Sequence, residues 1–103
     1  MFSGGDYHEV ARWLENFATS HAKREDLRAE CVLDTEDPRE GRSYGLRVRV
    51  GERLSSEIEL SFDEVASRRG SLAWCQAQAD RVRGLVRETV GPGSLRPGSL
   101  RPA

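Results

Sequence analysis

The sequence predicts a small α+β domain of order α-β-β-β-α, a three-stranded antiparallel meander with both helices packed on one of its faces. Three observations predict it. Apolar residues recur at three- and four-residue spacing from Tyr7 to His21, alternate through three short runs between Leu27 and Phe62, and return to the helical period from Val65 to Val90. With 103 residues the chain has room for one domain, expected over 1–90, followed by a disordered Pro/Gly/Ser/Leu/Arg tail over 91–103.

Asp6, with Glu9 three residues on, forms an acidic version of the capping box and starts the first helix. Tyr7, Val10, Leu14, Phe17 and His21, with Ala11 and Ala18 beside them, give that helix one apolar stripe as far as about Ala22. Glu9, Arg12, Glu15, Asn16 and Lys23 face water. From Leu27 the period changes to two, and Leu27, Ala29, Cys31 and Leu33 form the inward side of a first strand. Thr35 to Ser43 is wholly polar, contains Pro38 and Gly41, and reads as a hairpin loop. Leu46, Val48 and Val50 alternate with Arg47 and Arg49 in a second strand that stops at the Gly51-Glu52 turn. Leu54, Ser56, Ile58, Leu60 and Phe62 alternate with Ser55, Glu57, Glu59 and Ser61 in a third.

Ser61 and Glu64 make a second capping box, and Val65, Leu72, Cys75, Ala79, Val82, Val86 and Val90 carry a second helical stripe. Gly70 interrupts it. Two readings follow: one helix with a weak point at Gly70, or a short turn from Asp63 to Arg69 and then a main helix with Ser71 as its N-cap. Either way the helix is expected to end at Gly91-Pro92, since proline cannot continue the ladder. The tail repeats Pro-Gly-Ser-Leu-Arg from Pro92 and again from Pro97, a pattern with neither helical nor strand period.

Sixteen cations against 17 acids leave a net charge of −1, which removes the broad positive field that non-specific binding to nucleic acid or anionic lipid needs. Any basic site must be local. On the outward sheet face, Arg47 and Arg49 are expected between Glu30 and Asp34 on one neighbour and Glu57 and Glu59 on the other, so that opposite charges pair across strands. No run approaches the ~20 apolar residues that span a bilayer, and no basic segment leads into an apolar one at the start. A cytoplasmic protein with no membrane contact is expected, with Cys31 and Cys75 as free thiols.

Trp74 falls roughly 120° from the centre of the second stripe, with Leu85 on its side and Gln78 and Arg81 between them. A side strip of Trp74, Gln78, Arg81 and Leu85 suits a protein partner or a second copy, because aromatic anchors dominate interface energies. Against this stands packing of Trp74 on the first helix or over a sheet edge. Trp13 lies nearer its own stripe and reads as core, and His21 as a helix-end or core histidine.

His8, His21, Cys31 and Cys75 lie on different elements without metal-ligand spacing, and there is no G-x-S-x-G, P-loop or G-x-G-x-x-G. No catalytic residue, metal ligand or cofactor site is assigned. The order α-β-β-β-α resembles the restriction-endonuclease-type nuclease core, which implies Asp34 and Glu59 as metal-holding carboxylates; Glu57-Ile58-Glu59 stands where that family has Glu-x-Lys, and Lys23 is the only lysine. It is also similar to the double-stranded-RNA-binding domain. That resemblance implies phosphate contacts from Arg68 and Arg69 before the last helix and from Arg39 and Arg42 in the hairpin loop, although Leu72 replaces a further cation. The leading expectation is a non-enzymatic protein-interaction domain, adaptor or chaperone-like and in one form a homodimer, with RNA binding and nuclease chemistry as the alternatives.

Overall fold

The computed structural model describes residues 6–95. Helix α1 (Tyr7–Glu25) leads into β1 (Ala29–Asp34), β2 (Ser43–Val50), β3 (Arg53–Leu54) and β4 (Ile58–Ser61), followed by α2 (Phe62–Arg68) and α3 (Leu72–Leu95). β2 is the central strand, antiparallel to β1 on one side and to β3 and β4 on the other. The predicted α+β order with an antiparallel meander and helices on one face stands. The core lies between the sheet, through Ala29, Cys31, Tyr44, Leu46, Val48, Val50 and Leu60, and the helices, through Val10, Leu14, Ala18, Val82 and Val86.

Helix α1 begins as its sequence dictates: the Asp6 carboxylate accepts the Glu9 N–H at 2.7 Å, satisfying one of the free donors of the first turn. Its first residue also locks the helix to the sheet. Tyr7 and Tyr44 stack at 4.7 Å with 8° between their planes, the Tyr7 hydroxyl donates to the Ser43 carbonyl, and the Tyr44 hydroxyl donates to the Tyr7 carbonyl at 2.8 Å. Each ring is thereby buried without an orphaned hydroxyl. The helix runs to Glu25 rather than to Ala22, and Leu27 is 82% exposed instead of opening β1. The cause is Asp26. Its side chain takes the Arg28 N–H and guanidinium and its carbonyl takes the Ala29 N–H, so 26–28 become a turn.

The single third strand expected over Leu54–Phe62 is divided by a β-bulge. Between the pairs Leu46↔Ile58 and Arg49↔Leu54, β2 advances three residues while its partner advances four. Ser55 and Ser56 therefore both face Val48. The Ser55 N–H donates to the Val48 carbonyl and the Val48 N–H donates to the Ser55 hydroxyl, both at 2.9 Å, while that hydroxyl donates to the Ser56 carbonyl. The extra residue inverts the side-chain alternation: Ser55 is buried, Ser56 is exposed, and Leu54 turns onto the outer face at 49% exposure, whereas Ile58 and Leu60 stay inward. Glu88 of α3 fixes the bulge from outside by accepting the Ser56 N–H and hydroxyl, each at 3.1 Å.

Of the two readings at Gly70, the second is correct. α2 is capped by the Ser61 hydroxyl, which accepts the Glu64 N–H at 3.0 Å, and α3 by the Ser71 hydroxyl, which accepts the Trp74 N–H at 3.2 Å. The expected stop at Gly91-Pro92 does not occur, since α3 continues to Leu95. Pro92 falls in the last turn, where its missing N–H forfeits one ladder bond rather than breaking a helix interior. The remainder of the expected tail, 96–103, lies outside the described residues.

Replacing Ser55 with alanine removes the only acceptor that the buried Val48 N–H meets at the bulge. Urea denaturation of Ser55→Ala is expected to show a loss of about 1–3 kcal/mol, whereas Ser56→Ala, at an exposed position, should lose less than half as much.

Candidate functional site

The strip expected to meet a partner is placed inside the molecule. Trp74, Gln78 and Leu85 are each 7% exposed, and of the four only Arg81 faces water, with its guanidinium donating to Gln78 Oε1 at 3.0 Å. The buried face of α3 is Trp74, Gln78, Ala79, Val82, Leu85, Val86 and Thr89, so its centre lies roughly 50° from the stripe read off the sequence. Leu72, assigned to that stripe, is 74% exposed. The correction has a physical cause. The Gly70-Ser71 break turns the chain between α2 and α3, and the Glu64 carboxylate accepts the Trp74 indole N–H at 2.9 Å. The indole loses its polar cost of burial and packs at 6.4 Å from Trp13.

Trp13, like Phe17 and Phe62, stays partly open to solvent. It is half-buried, stacked on Phe17 at 5.0 Å with 13° between planes, and the Arg69 guanidinium stands 5.8 Å above its ring. Phe17 meets His21 at 4.6 Å one turn further on. This row at i, i+4 and i+8 on α1 fills the seam between α1 and α3, and its spacing was visible in the sequence. Of the two readings of Trp74, packing against the first helix is the one the structure has, while Leu72, assigned to the apolar stripe, is exposed at the start of α3.

The outer sheet face is laced with ion pairs. Arg49 meets Glu30 at 3.3 Å and Arg47 meets Glu57 at 3.7 Å. Asp34, unlike the expectation, is held by Arg39 of the hairpin loop, which also binds Glu57, both at 2.6 Å. Arg39 reaches across the sheet because Gly45 lies beneath it: a Cβ there would stand 2.8 Å from Arg39 Cζ and 2.5 Å from Glu57 Oε2. The same row places Asp34 and Glu59 on opposite sides of Gly45, their strands about 10 Å apart. The Arg39 guanidinium occupies the space between these strands on the Asp34 side, where the nuclease-like arrangement would need a cation held by both carboxylates.

Glu59 lies across an open depression of about 570 Å³ from Arg42, with Pro38, Arg39 and Ser43 completing the rim. The four arginines of the RNA-like reading are split. Arg39 and Arg42 belong to this depression on the sheet side, Arg68 is exposed at the end of α2, and Arg69 is engaged over Trp13. Arg39 Nε is buried with no hydrogen-bond partner, and the remaining guanidinium nitrogens are spent on Asp34 and Glu57, which lowers the charge it presents outward.

Neither thiol is placed as a nucleophile. Burial, with Glu15 nearby, pushes the Cys31 thiol up to about 12, and the Cys75 thiol donates to the Arg69 carbonyl at 3.3 Å. Both are free. His8 sits at the exposed start of α1, 3.6 Å from Glu40, far along the helix from His21. Among the described residues no group of three His, Cys, Asp or Glu side chains could hold a metal ion, and no helix is long and apolar enough to cross a membrane. Comparison with family models, with curated proteins and with solved structures found no match.

Two outcomes are expected from this placement. Trp74→Ala should cost about 3–5 kcal/mol in equilibrium unfolding, the range for emptying a buried indole site; a loss below about 1 kcal/mol, the size typical of a surface position, would contradict it. With an aromatic disulfide reagent at pH 8, Cys31 should label only on unfolding, read by peptide mass after timed quenching.

Proposed function

We propose that the protein is a non-enzymatic interaction domain that pairs with a second copy of itself through its helix layer, using the half-buried Trp13 and Phe17 of α1 and the exposed Leu72 at the start of α3. One observation carries the reading: a stacked tryptophan and phenylalanine stay half-buried beside an arginine, while Leu72, three residues after that arginine, is 74% exposed. Aromatic and arginine side chains supply most of the energy in protein contacts, and a large apolar side chain at the mouth of such a cluster adds desolvation on docking. The alternating charges of the sheet face support the same choice from the other side, because ion pairs already made within one chain offer little to a partner. A reducing, cytoplasmic setting belongs to this reading and agrees with the two unpaired thiols.

Leu72 is the position at which to test it. It follows the Ser71 cap at the first helical residue of α3, where an aspartate is favoured by the helix dipole, so Leu72→Asp removes apolar surface without a folding penalty. Light scattering should give a dimer for the wild type in the micromolar range and a monomer for Leu72→Asp, with unchanged circular dichroism. A wild type that stays monomeric up to about 1 mM, or a variant that keeps the dimer mass, would refute the pairing.

A further inference from the structure

At the opposite end of the seam from Leu72, α1 and α3 meet through charge rather than apolar surface. Glu25, in the last turn of α1, accepts from Arg83 Nε at 3.1 Å and from Arg87 Nε at 3.0 Å, and this clasp joins two helices 58 to 62 residues apart in sequence. His21 stands one turn before Glu25, half-buried, with its ring on Phe17 at 4.6 Å. The charged groups that bear on it are Arg24 on its own helix and Arg83 on α3, with Glu25 and Arg87 completing the cluster. Three arginines and one carboxylate make this end of the seam cationic while the imidazole is neutral. A proton on His21 adds a further positive charge beside Arg24 and Arg83, where the Glu25 carboxylate is already shared between two guanidinium groups.

We propose that His21 is a proton-sensitive element of the α1–α3 contact, and that mild acid loosens the Glu25–Arg83–Arg87 end of the seam while leaving the Trp13–Trp74 end closed. The direction agrees with the environment of the ring. Burial, then Arg24, then Arg83 lower the His21 pKa below its ordinary 6.5, so the folded contact favours the neutral imidazole. The open state, in which the ring is hydrated and away from Arg83, binds the proton more readily. Well above pH 6.5 neither state is protonated and the contact keeps its full strength. As the pH falls through 6.5 toward the lower folded value the open state takes up the proton first, and stability of the contact is lost across that window. The two acids at the end of α1 do not confuse the readout there, because Arg87 and Arg83 hold the Glu25 carboxyl below its usual range and Arg28 holds Asp26 at about 2.

The test is amide hydrogen exchange by NMR between pH 7.5 and 5.0, corrected for intrinsic rates, on the wild type, His21→Gln and His8→Gln. Glutamine at 21 keeps a neutral polar side chain of similar length at every pH. The wild type and His8→Gln should show protection factors that drop several-fold on acidification at 18–25 in α1 and at 82–88 in α3, with little change at 10–14 and 74–78. His21→Gln should hold its protection flat over the same range. A drop of equal size in His21→Gln, a flat wild type, or a loss of protection spread evenly along both helices would each overturn the proposal. These outcomes are read within one subunit, at a protein concentration below that of self-association, and so stand or fall independently of the pairing through Leu72.

Discussion

One serine hydroxyl, taking the place of a strand carbonyl, sets the geometry of the sheet. Because Ser55 Oγ accepts the Val48 N–H, the central strand keeps its ladder through a point where its neighbour carries one residue too many. Everything on the far side of the bulge is offset by that residue. Leu54 faces water, Ile58 and Leu60 face the helices, and β4 delivers Ser61 to the spot where it caps α2. Glu88 binding Ser56 then ties the same irregularity to α3, so the bulge joins both layers instead of merely interrupting one.

The outer face shows a different economy. A sheet open to solvent on one side could present arginines to an anion, and Arg47 and Arg49 occupy the row where that would happen. They are instead flanked by Glu57 and Glu30, and Arg39 folds back over Gly45 to occupy Asp34 and the second oxygen of Glu57. Half-exposed pairs of this sort stabilise by less than about 1 kcal/mol each. Their larger effect is on the field, because acids and bases within one Debye length of each other cancel in part.

The sequence made legible whatever depends on local chemistry. Asp6 and Ser61 cap the helices that their positions announce, Ser71 caps α3 as one of the two open readings had it, the alternation in 29–33 and 46–50 gives inward residues of β1 and β2, and the cross-strand charges pair in kind if not in every partner. The misreadings come from side-chain hydrogen bonds that a hydrophobic period does not carry. Asp26 turns Leu27 out of β1 by binding Arg28, the bulge depends on an hydroxyl that alternation treats as merely polar, and Trp74 is drawn inside by Glu64 ten residues earlier. Period-based reading assigns a face from hydrophobicity alone, and an error of roughly 50° on a helix is enough to exchange Trp74 for Leu72 at the surface. The candidate site followed that error, since its residues were chosen for being off the stripe.

The helix layer then acquires two ends of different character for one reason. α1 and α3 run in the same direction, with Trp13 beside Trp74 near their starts and Glu25 beside Arg83 and Arg87 further on. At the first end, dispersion and apolar burial hold the helices beside the Glu64–Trp74 hydrogen bond and the Arg69 guanidinium over Trp13, and the apolar part of that contact carries no charge. At the second, the contact rests on one carboxylate among cations, where attraction is short in supply and sensitive to every added charge. Packing against β1 and β2 fixes both helices along their inner faces, so the ionic end can open without dragging the aromatic end with it. Under the pairing and the proton response proposed above, the docking residues would keep their register while the far half of the seam responded to conditions, because the two kinds of contact are separated along the helix axis rather than mixed.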